Sequence, residues 1–385
     1  MDPSAAFKAP SRRRFAWGTA ALLAAPGLVR AEADRALVLG QSVALTGPAA
    51  QLGLQYVQGA QLLLERVNAR GGVARRPLTL RILDDGYEAD RCADNTRRLI
   101  QDEVFALFGY VGTPTSLAAL PLATQARLPF VAPLSGAGAL REPFNRQVFH
   151  VRASYDAEAE LIVSDLLRRG HRRVGVLLQN DAFGQSGLLA LTRALQGSAL
   201  RSVAQATVER NSLDVATAVR TLVVAQPDAM VLACTYQASA AFVRASRKAG
   251  YTGTFHNVSF VGTQPLARAL GPEGAGVVIS QVVPSPHSAT HALSQGFRQA
   301  VLQGGNRVQL NHSSLEGYLA AAVLVEGLKA AARQGPLSRE GLVEGLESLG
   351  QRQVVGFPIS LSRQNHQASR FVELSTLLSD GSVQT

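Results

Sequence analysis

Two cysteines, Cys92 and Cys234, are all that 385 residues supply. That scarcity rules out a disulfide-stapled scaffold and leaves the core to apolar side chains. Cys92 is expected in a helix of the first half and Cys234 at the end of a buried strand in the second. Both read as small buried thiols that do not pair with each other. The seven histidines, at 150, 171, 256, 287, 291, 312 and 366, show no HExxH or other metal spacing, and no GxSxG elbow occurs. No metal and no cofactor is therefore expected. Asp84-Asp85 could suggest paired acids, but neighbours on a strand face opposite ways, so it reads as a strand-end turn. No nucleophile, base and orienting group assemble into a set, which argues against an enzyme. Charged residues are only 17% of the chain against 46% hydrophobic, far from the composition of a disordered protein. Beyond the N-terminus no apolar run is long enough to span a bilayer.

What the chain does have begins with an address. Ser11-Arg12-Arg13-Arg14-Phe15 precedes an apolar stretch over 16–29, and Ala31-Glu32-Ala33 offers small residues at signal-peptidase spacing. Paired arginines before a short apolar region are the twin-arginine export signature, so residues 1–33 are expected to be removed and the mature chain to be soluble in the periplasm. Without a cysteine at the cleavage point there is no lipid anchor. The formal charge of +10 includes +3 from this segment, leaving +7 on the mature chain. Its arginines come as scattered pairs (Arg75-Arg76, Arg97-Arg98, Arg168-Arg169, Arg172-Arg173) that are not interleaved with aromatics, which argues against nucleic acid as a partner.

After the signal, buried β-rich runs alternate with helical patterns: strands at 36–43, 78–83 and 104–108, helices at 53–69, 89–101 and 115–126. Such alternation predicts a parallel sheet covered by helices on both faces. A second series begins with a strand at 148–152 and a helix at 155–169. It continues with strands at 173–178, 203–208, 229–233 and 255–261 and helices at 184–196, 214–224 and 237–250. Helices at 291–303 and 314–332 and strands at 354–361 and 370–377 close the chain. The late helices have no strand set of their own, so they must return to the first sheet. The expected organisation is α/β with two Rossmann-like lobes, discontinuous in sequence: 34–153 with 283–353, and 154–282 with 354–385.

In open parallel sheets ligands collect outside the carboxyl ends of the strands, where helix N-termini present unpaired N–H groups. Several loops of that kind recur here. One runs from Ala44 to Gly53; a second is Gly109 to Ser116, where either Thr113 or Thr115 could cap the helix; a third is Pro133 to Ala137. The second lobe supplies Tyr155-Asp156, Asn180 to Gly184, and Cys234 to Gln237. Phe183 and Tyr236 could wall an apolar ligand or simply pack. Asp156 could cap its helix or, reaching the cleft, meet an ammonium.

The ordered set SVALTGPAAQLG, DDGYEAD, FGYVGTPTS, PFVAPLSGAGALRE, VFHVRASYDAEAE and LLQNDAFGQSG resembles the type I periplasmic solute-binding proteins of the leucine/isoleucine/valine-binding family, across almost the whole mature chain. The resemblance implies two lobes joined by a three-segment hinge that close over a ligand and hand it to an ABC importer. It places Thr113 and the amides near Thr115 on the ligand's carboxylate. Ser135 and Gly136 complete that grip, with Ser135 standing in for a hydroxyl displaced from position 136. Phe183 and Tyr236 match positions of second-lobe aromatics, and Leu52 lies at a side-chain pocket position. In the family an acid in the second lobe pairs with an amino acid's ammonium, yet the matching stretch 257–263 holds no Asp or Glu. An ammonium closed in without a partner would be poorly compensated. That favours a small carboxylate with an apolar or aromatic body, while Asp156 keeps an amino acid open. A monomer is expected, and a sensor module presenting its ligand to a membrane receptor or kinase is the alternative to transport.

Overall fold

The computed structural model describes residues 36–385. The twin-arginine segment lies outside the described residues.

The chain opens with β1 (Leu37–Val43), α1 (Ala50–Asn68), β2 (Leu78–Asp84), α2 (Ala89–Gln101), β3 (Ala106–Phe108), α3 (Thr113–Gln125), β4 (Phe130–Val131) and β5 (Val148–Phe149). These strands form one sheet in the order β2-β1-β3-β4-β5, with every neighbouring pair parallel. Six of seven residues of β1 and all of β3 are buried, as a strand covered on both faces requires.

Next come α4 (Tyr155–Arg168), β6 (Arg173–Gln179), α5 (Ala182–Leu195), β7 (Arg201–Val208), α6 (Ala216–Val224), β8 (Ala229–Ala233), α7 (Tyr236–Lys248), β9 (Thr254–Asn257), α8 (Thr263–Leu270) and β10 (Val278–Gln281). The chain ends with α9 (Ala292–Gln303), α10 (His312–Gln334), α11 (Arg339–Glu347), β11 (Gly350–Val354), β12 (Phe357–Leu361), β13 (Glu373–Leu377) and β14 (Val383–Gln384). The second sheet is ordered β14-β13-β10-β9-β8-β6-β7, parallel from β7 to β10 and antiparallel at β13 and β14. The molecule is thus two α/β lobes. The chain passes from one sheet to the other between β5 and α4, returns to the first lobe between β10 and α9, and re-enters the second sheet at β13 after α11 and the separate hairpin β11–β12.

The late helices do pack on the first lobe. Helix α10 lies against α1, and no side chain separates them where two glycines meet the facing backbone. A Cβ on Gly59 would stand 1.8 Å from the Ser314 carbonyl oxygen, and one on Gly317 would stand 2.1 Å from that of Tyr56. The N-terminus of α10 is fixed by a reciprocal cap, Ser314 N–H donating to Asn311 Oδ1 at 2.8 Å and Asn311 N–H to Ser314 Oγ at 3.3 Å.

Some expected elements change. The strand expected at 354–361 begins only at Phe357, as β12, and pairs back on β11 through a turn whose residues Val355 and Gly356 have φ of 46° and 81°. A two-residue turn of that hand normally advertises itself with Asn-Gly, and a valine in its first position hides it. The strand expected over 255–261 stops at Asn257 and tightens into a 3₁₀ turn at Ser259–Val261. Strand β5 is two residues long instead of five. Helices α8 and α11 and strand β10 are additional elements, each short enough for its periodicity to be weak. Both cysteines are buried and unpaired. Among the described residues no helix is long and apolar enough to cross a membrane.

Candidate functional site

The end of β3 turns sharply into α3. Gly112 has φ of 109°, and a Cβ there would lie 2.3 Å from the Tyr87 ring. Gly112, not Thr113 or Thr115, is the N-cap, and no side chain caps the helix. The two threonines sit inside the first turn because Pro114 fits there without needing an N–H donor. Thr115 turns its hydroxyl back to the carbonyls of Val111 at 2.6 Å and Gly112 at 3.1 Å. Of the first-turn positions, Pro114 has no N–H and Ser116 N–H donates to the Gly112 carbonyl at 3.1 Å, so the amides of Thr113 and Thr115 are the ones left without a cap at the positive end of this 13-residue helix.

Opposite them stands the loop after β4. Thr113 Oγ1 and Ser135 Oγ share a hydrogen bond of 2.8 Å, and Ala137 N–H donates to Ser135 Oγ at 3.2 Å. Gly136 lies directly under the Tyr155 ring, and Tyr155 N–H donates to the Gly136 carbonyl at 2.8 Å. The Tyr155 hydroxyl is buried without a hydrogen-bond partner, as is that of Ser116. Burial pushes Tyr155 up to about 12, so it stays a neutral donor at physiological pH. Thr113, Thr115, Ser135, Gly136 and Tyr155 are therefore brought together.

From the second lobe Phe183 closes on Tyr155, ring centroids 5.6 Å apart, and on Phe260 at 4.7 Å; Phe260 in turn meets Tyr87 of the first lobe at 5.8 Å. Leu52 reaches the facing lobe at Gly262, where an added Cβ would lie 3.6 Å from Leu52 Cδ1. The lobes are closed on each other. Gln179 Nε2 donates to the Tyr87 hydroxyl at 3.2 Å, Arg210 pairs with Glu88 at 2.9 Å, and Arg268 donates to Gln309 at 2.7 Å. Tyr236 sits in the separate core cluster of the second lobe at the start of α7. Asp156 neither caps α4, which Ser154 does, nor turns inward; it pairs with Arg193 at 3.3 Å on the rim of a solvent-open groove of about 400 Å³.

Four buried charges beside the site escaped the sequence reading. Arg152, 2% exposed at its side chain, lies 3.4 Å from Glu316 of α10 and 3.8 Å from Glu158 of α4, and donates to Ser259 Oγ. Burial opposes its charge, but Glu316 and Glu158 outweigh that and hold the guanidinium protonated. Glu158 is saturated within its own lobe, accepting from Ser259 N–H at 2.7 Å, Ser259 Oγ at 2.9 Å and Ser280 Oγ at 2.5 Å. The fourth charge is Arg141, described below. Separations of 107 and 164 residues between Arg152 and its partners Ser259 and Glu316 leave no local pattern to detect.

Asp84 and Asp85 face opposite ways, as their adjacency requires. Asp84 is held down to about 2; burial opposes this, but the Thr46 hydroxyl and the amides of Leu45, Gly86 and Thr46 outweigh it. Asp85 is pushed up to about 6 by burial, against hydrogen bonds from Ser42 and the Tyr87 amide. An acid whose pKa is higher folded than unfolded binds its proton more tightly in the fold, so its contribution grows as pH falls through about 6 and levels off near 4. Asp85→Asn is expected to remove about 1–3 kcal/mol of that pH dependence, read as the difference in chemical-denaturation free energy between pH 7.5 and pH 4.5 for the two proteins. Equal pH dependence in both would refute it. Among the described residues no cluster of three or more His, Cys, Asp or Glu could hold a metal ion.

Two parallel-sheet lobes closed over a helix N-terminus define the type I periplasmic binding protein fold. The chain belongs to the periplasmic binding protein family, whose model matches residues 37–382. It is 26% identical over 381 residues to "Leu/Ile/Val-binding protein homolog 7" of Brucella melitensis, covering 92% of each chain. A possible leucine/isoleucine/valine-binding protein from Rhodopirellula baltica superposes with a TM-score of 0.84 at 33% identity, covering 91% of this chain and 96% of that one. A substrate-binding periplasmic protein from Ralstonia solanacearum gives 0.83 at 29% identity, over 90% and 99%.

Proposed function

We propose that the chain is exported by its twin-arginine segment to the periplasm, where as a monomer it captures a small carboxylate between its lobes and delivers it to an ABC importer. The lobes are 34–153 with 283–353 and 154–282 with 354–385, and the three crossings form the hinge. Closure follows from contacts that a ligand makes to both lobes at once. The observation that carries the reading is the convergence of uncapped α3 amides, the Thr113–Ser135 hydroxyl pair and the unpartnered Tyr155 hydroxyl, all donors suited to one anionic group.

Relatives named for leucine, isoleucine and valine make an amino acid the obvious competitor. Asp156 is engaged by Arg193, and the stretch after β9 offers only the hydroxyls of Ser259, itself bound to Glu158, and Thr263, bound by Gln281. An ammonium would therefore lack an acid from either source. The des-amino acid 4-methylpentanoate is expected to bind at least about tenfold more tightly than L-leucine, since a desolvated, unpaired ammonium costs more than about 1.4 kcal/mol. Isothermal titration of the pair, with wild type and with Thr113→Val/Ser135→Ala, tests both halves. The double variant should lose about 10- to 100-fold in affinity for the acid, as two hydrogen bonds to a charged group imply. Unchanged affinity in the double variant would remove the site; tighter binding of L-leucine would remove the ligand class.

A further inference from the structure

Arg141 follows the 3₁₀ turn Gly138–Leu140 and is 7% exposed. It donates only to carbonyl oxygens: Nη1 to Ser135 at 3.1 Å and Ala137 at 3.0 Å, Nη2 to Arg152 at 3.2 Å and Ala153 at 3.4 Å. Its Nε has no partner. Among the described residues no carboxylate comes within 4.0 Å of it, whereas its neighbour Arg152 has two. Burial, then repulsion from Arg152, lowers Arg141 to about 10, which leaves it fully charged at neutral pH. A buried guanidinium satisfied by carbonyls but not neutralised by an acid is costly to maintain.

Its position suggests what it is kept for. In a trans peptide the carbonyl and the N–H point opposite ways. The carbonyl of Ser135 that Arg141 binds belongs to the same peptide group as the Gly136 N–H, at the loop that faces the N-terminus of α3. A positive charge on the oxygen side of a peptide strengthens the donor on its far side, and low dielectric amplifies the effect.

We propose that Arg141 is the counter-charge of the binding site: a positioning residue that never touches the ligand but, through the Ser135 and Ala137 carbonyls, makes the loop amides select an anionic over a neutral head group. The inference rests on the carboxylate reading above. It supplies what that reading lacks, because none of the donors gathered at the site carries a formal charge.

The test compares 4-methylpentanoate with its neutral isostere 4-methylpentanamide, by titration against wild type, Arg141→Met and Arg141→Lys, with cooperative thermal unfolding confirming that each variant folds. A unit charge roughly 7 Å from a carboxylate at an effective dielectric of about 20 corresponds to about ten- to fifty-fold in affinity. Arg141→Met should lose that factor for the acid and less than about twofold for the amide, and Arg141→Lys should recover the acid to within about threefold of wild type. Arg141→Gln, neutral but able to donate, replaces the Met variant if the latter does not fold. Unchanged acid affinity in the neutral variant, equal loss for acid and amide, or a Lys variant as weak as Met overturns the inference alone. A wild type that binds neither compound overturns the carboxylate reading and the inference with it.

Discussion

Alanine at position 158 should lower the stability of the protein by about 3–5 kcal/mol, the usual cost of stripping one partner from a buried charged network. Glu158 is fully buried, and its two oxygens collect three hydrogen bonds from Ser259 and Ser280. Removing them leaves an amide and two hydroxyls without their acceptor and takes from Arg152 one of its two acids. Glu158→Gln keeps one carbonyl acceptor but points an amide NH₂ at donors, so its loss should fall between wild type and alanine. Urea denaturation at pH 7 reads both. A loss below about 1 kcal/mol for alanine would mean that water replaces the carboxylate, and the network would then hold nothing together.

Gly136→Val should abolish ligand binding, a loss of at least about 100-fold. A Cβ at 136 would lie 2.5 Å from Tyr155 Cδ1, 2.7 Å from its backbone N and 2.8 Å from Cε1. The backbone nitrogen cannot yield without breaking its bond to the Gly136 carbonyl, so the ring must swing and take the Tyr155 hydroxyl out of the site. Gly138 is the control, since a Cβ there meets nothing within 4 Å and Gly138→Ala should bind as wild type does. Titration of both variants, with near-ultraviolet circular dichroism reporting the tyrosine, decides the matter. Full affinity in Gly136→Val would place the ligand away from Tyr155.

Legibility in the sequence tracked how local each cause is. Strand β8 declares itself because both faces are covered and no polar residue interrupts it, and β1 because Gln41 and Ser42 are its only polar interruptions. The glycines and hydroxyls of 109–116 and 133–137 could be picked out because a turn between strand and helix has its own residue chemistry. Capping was harder: Thr113 and Thr115 look like caps, yet Pro114 shifts the helix start back so that Gly112 takes the role. Arg141 is printed inside the same stretch that carries the family likeness, but nothing in PLSGAGALRE tells that its guanidinium folds back six residues to the Ser135 carbonyl. Glu316, on an almost wholly buried helix, meets Arg152 from 164 positions away, a relation that only the closed chain creates.

At Gly59 and Gly317 two helices of the first lobe touch main chain to main chain, with no side chain between them to compress or re-orient. A contact without slack transmits displacement undiminished, so α1 and α10 must travel together. Leu52 on α1, which meets the second lobe at Gly262, and Glu316 on α10, which pairs with Arg152 beside the first crossing between the lobes, are thereby geared to a single motion: whatever draws one carries the other with it.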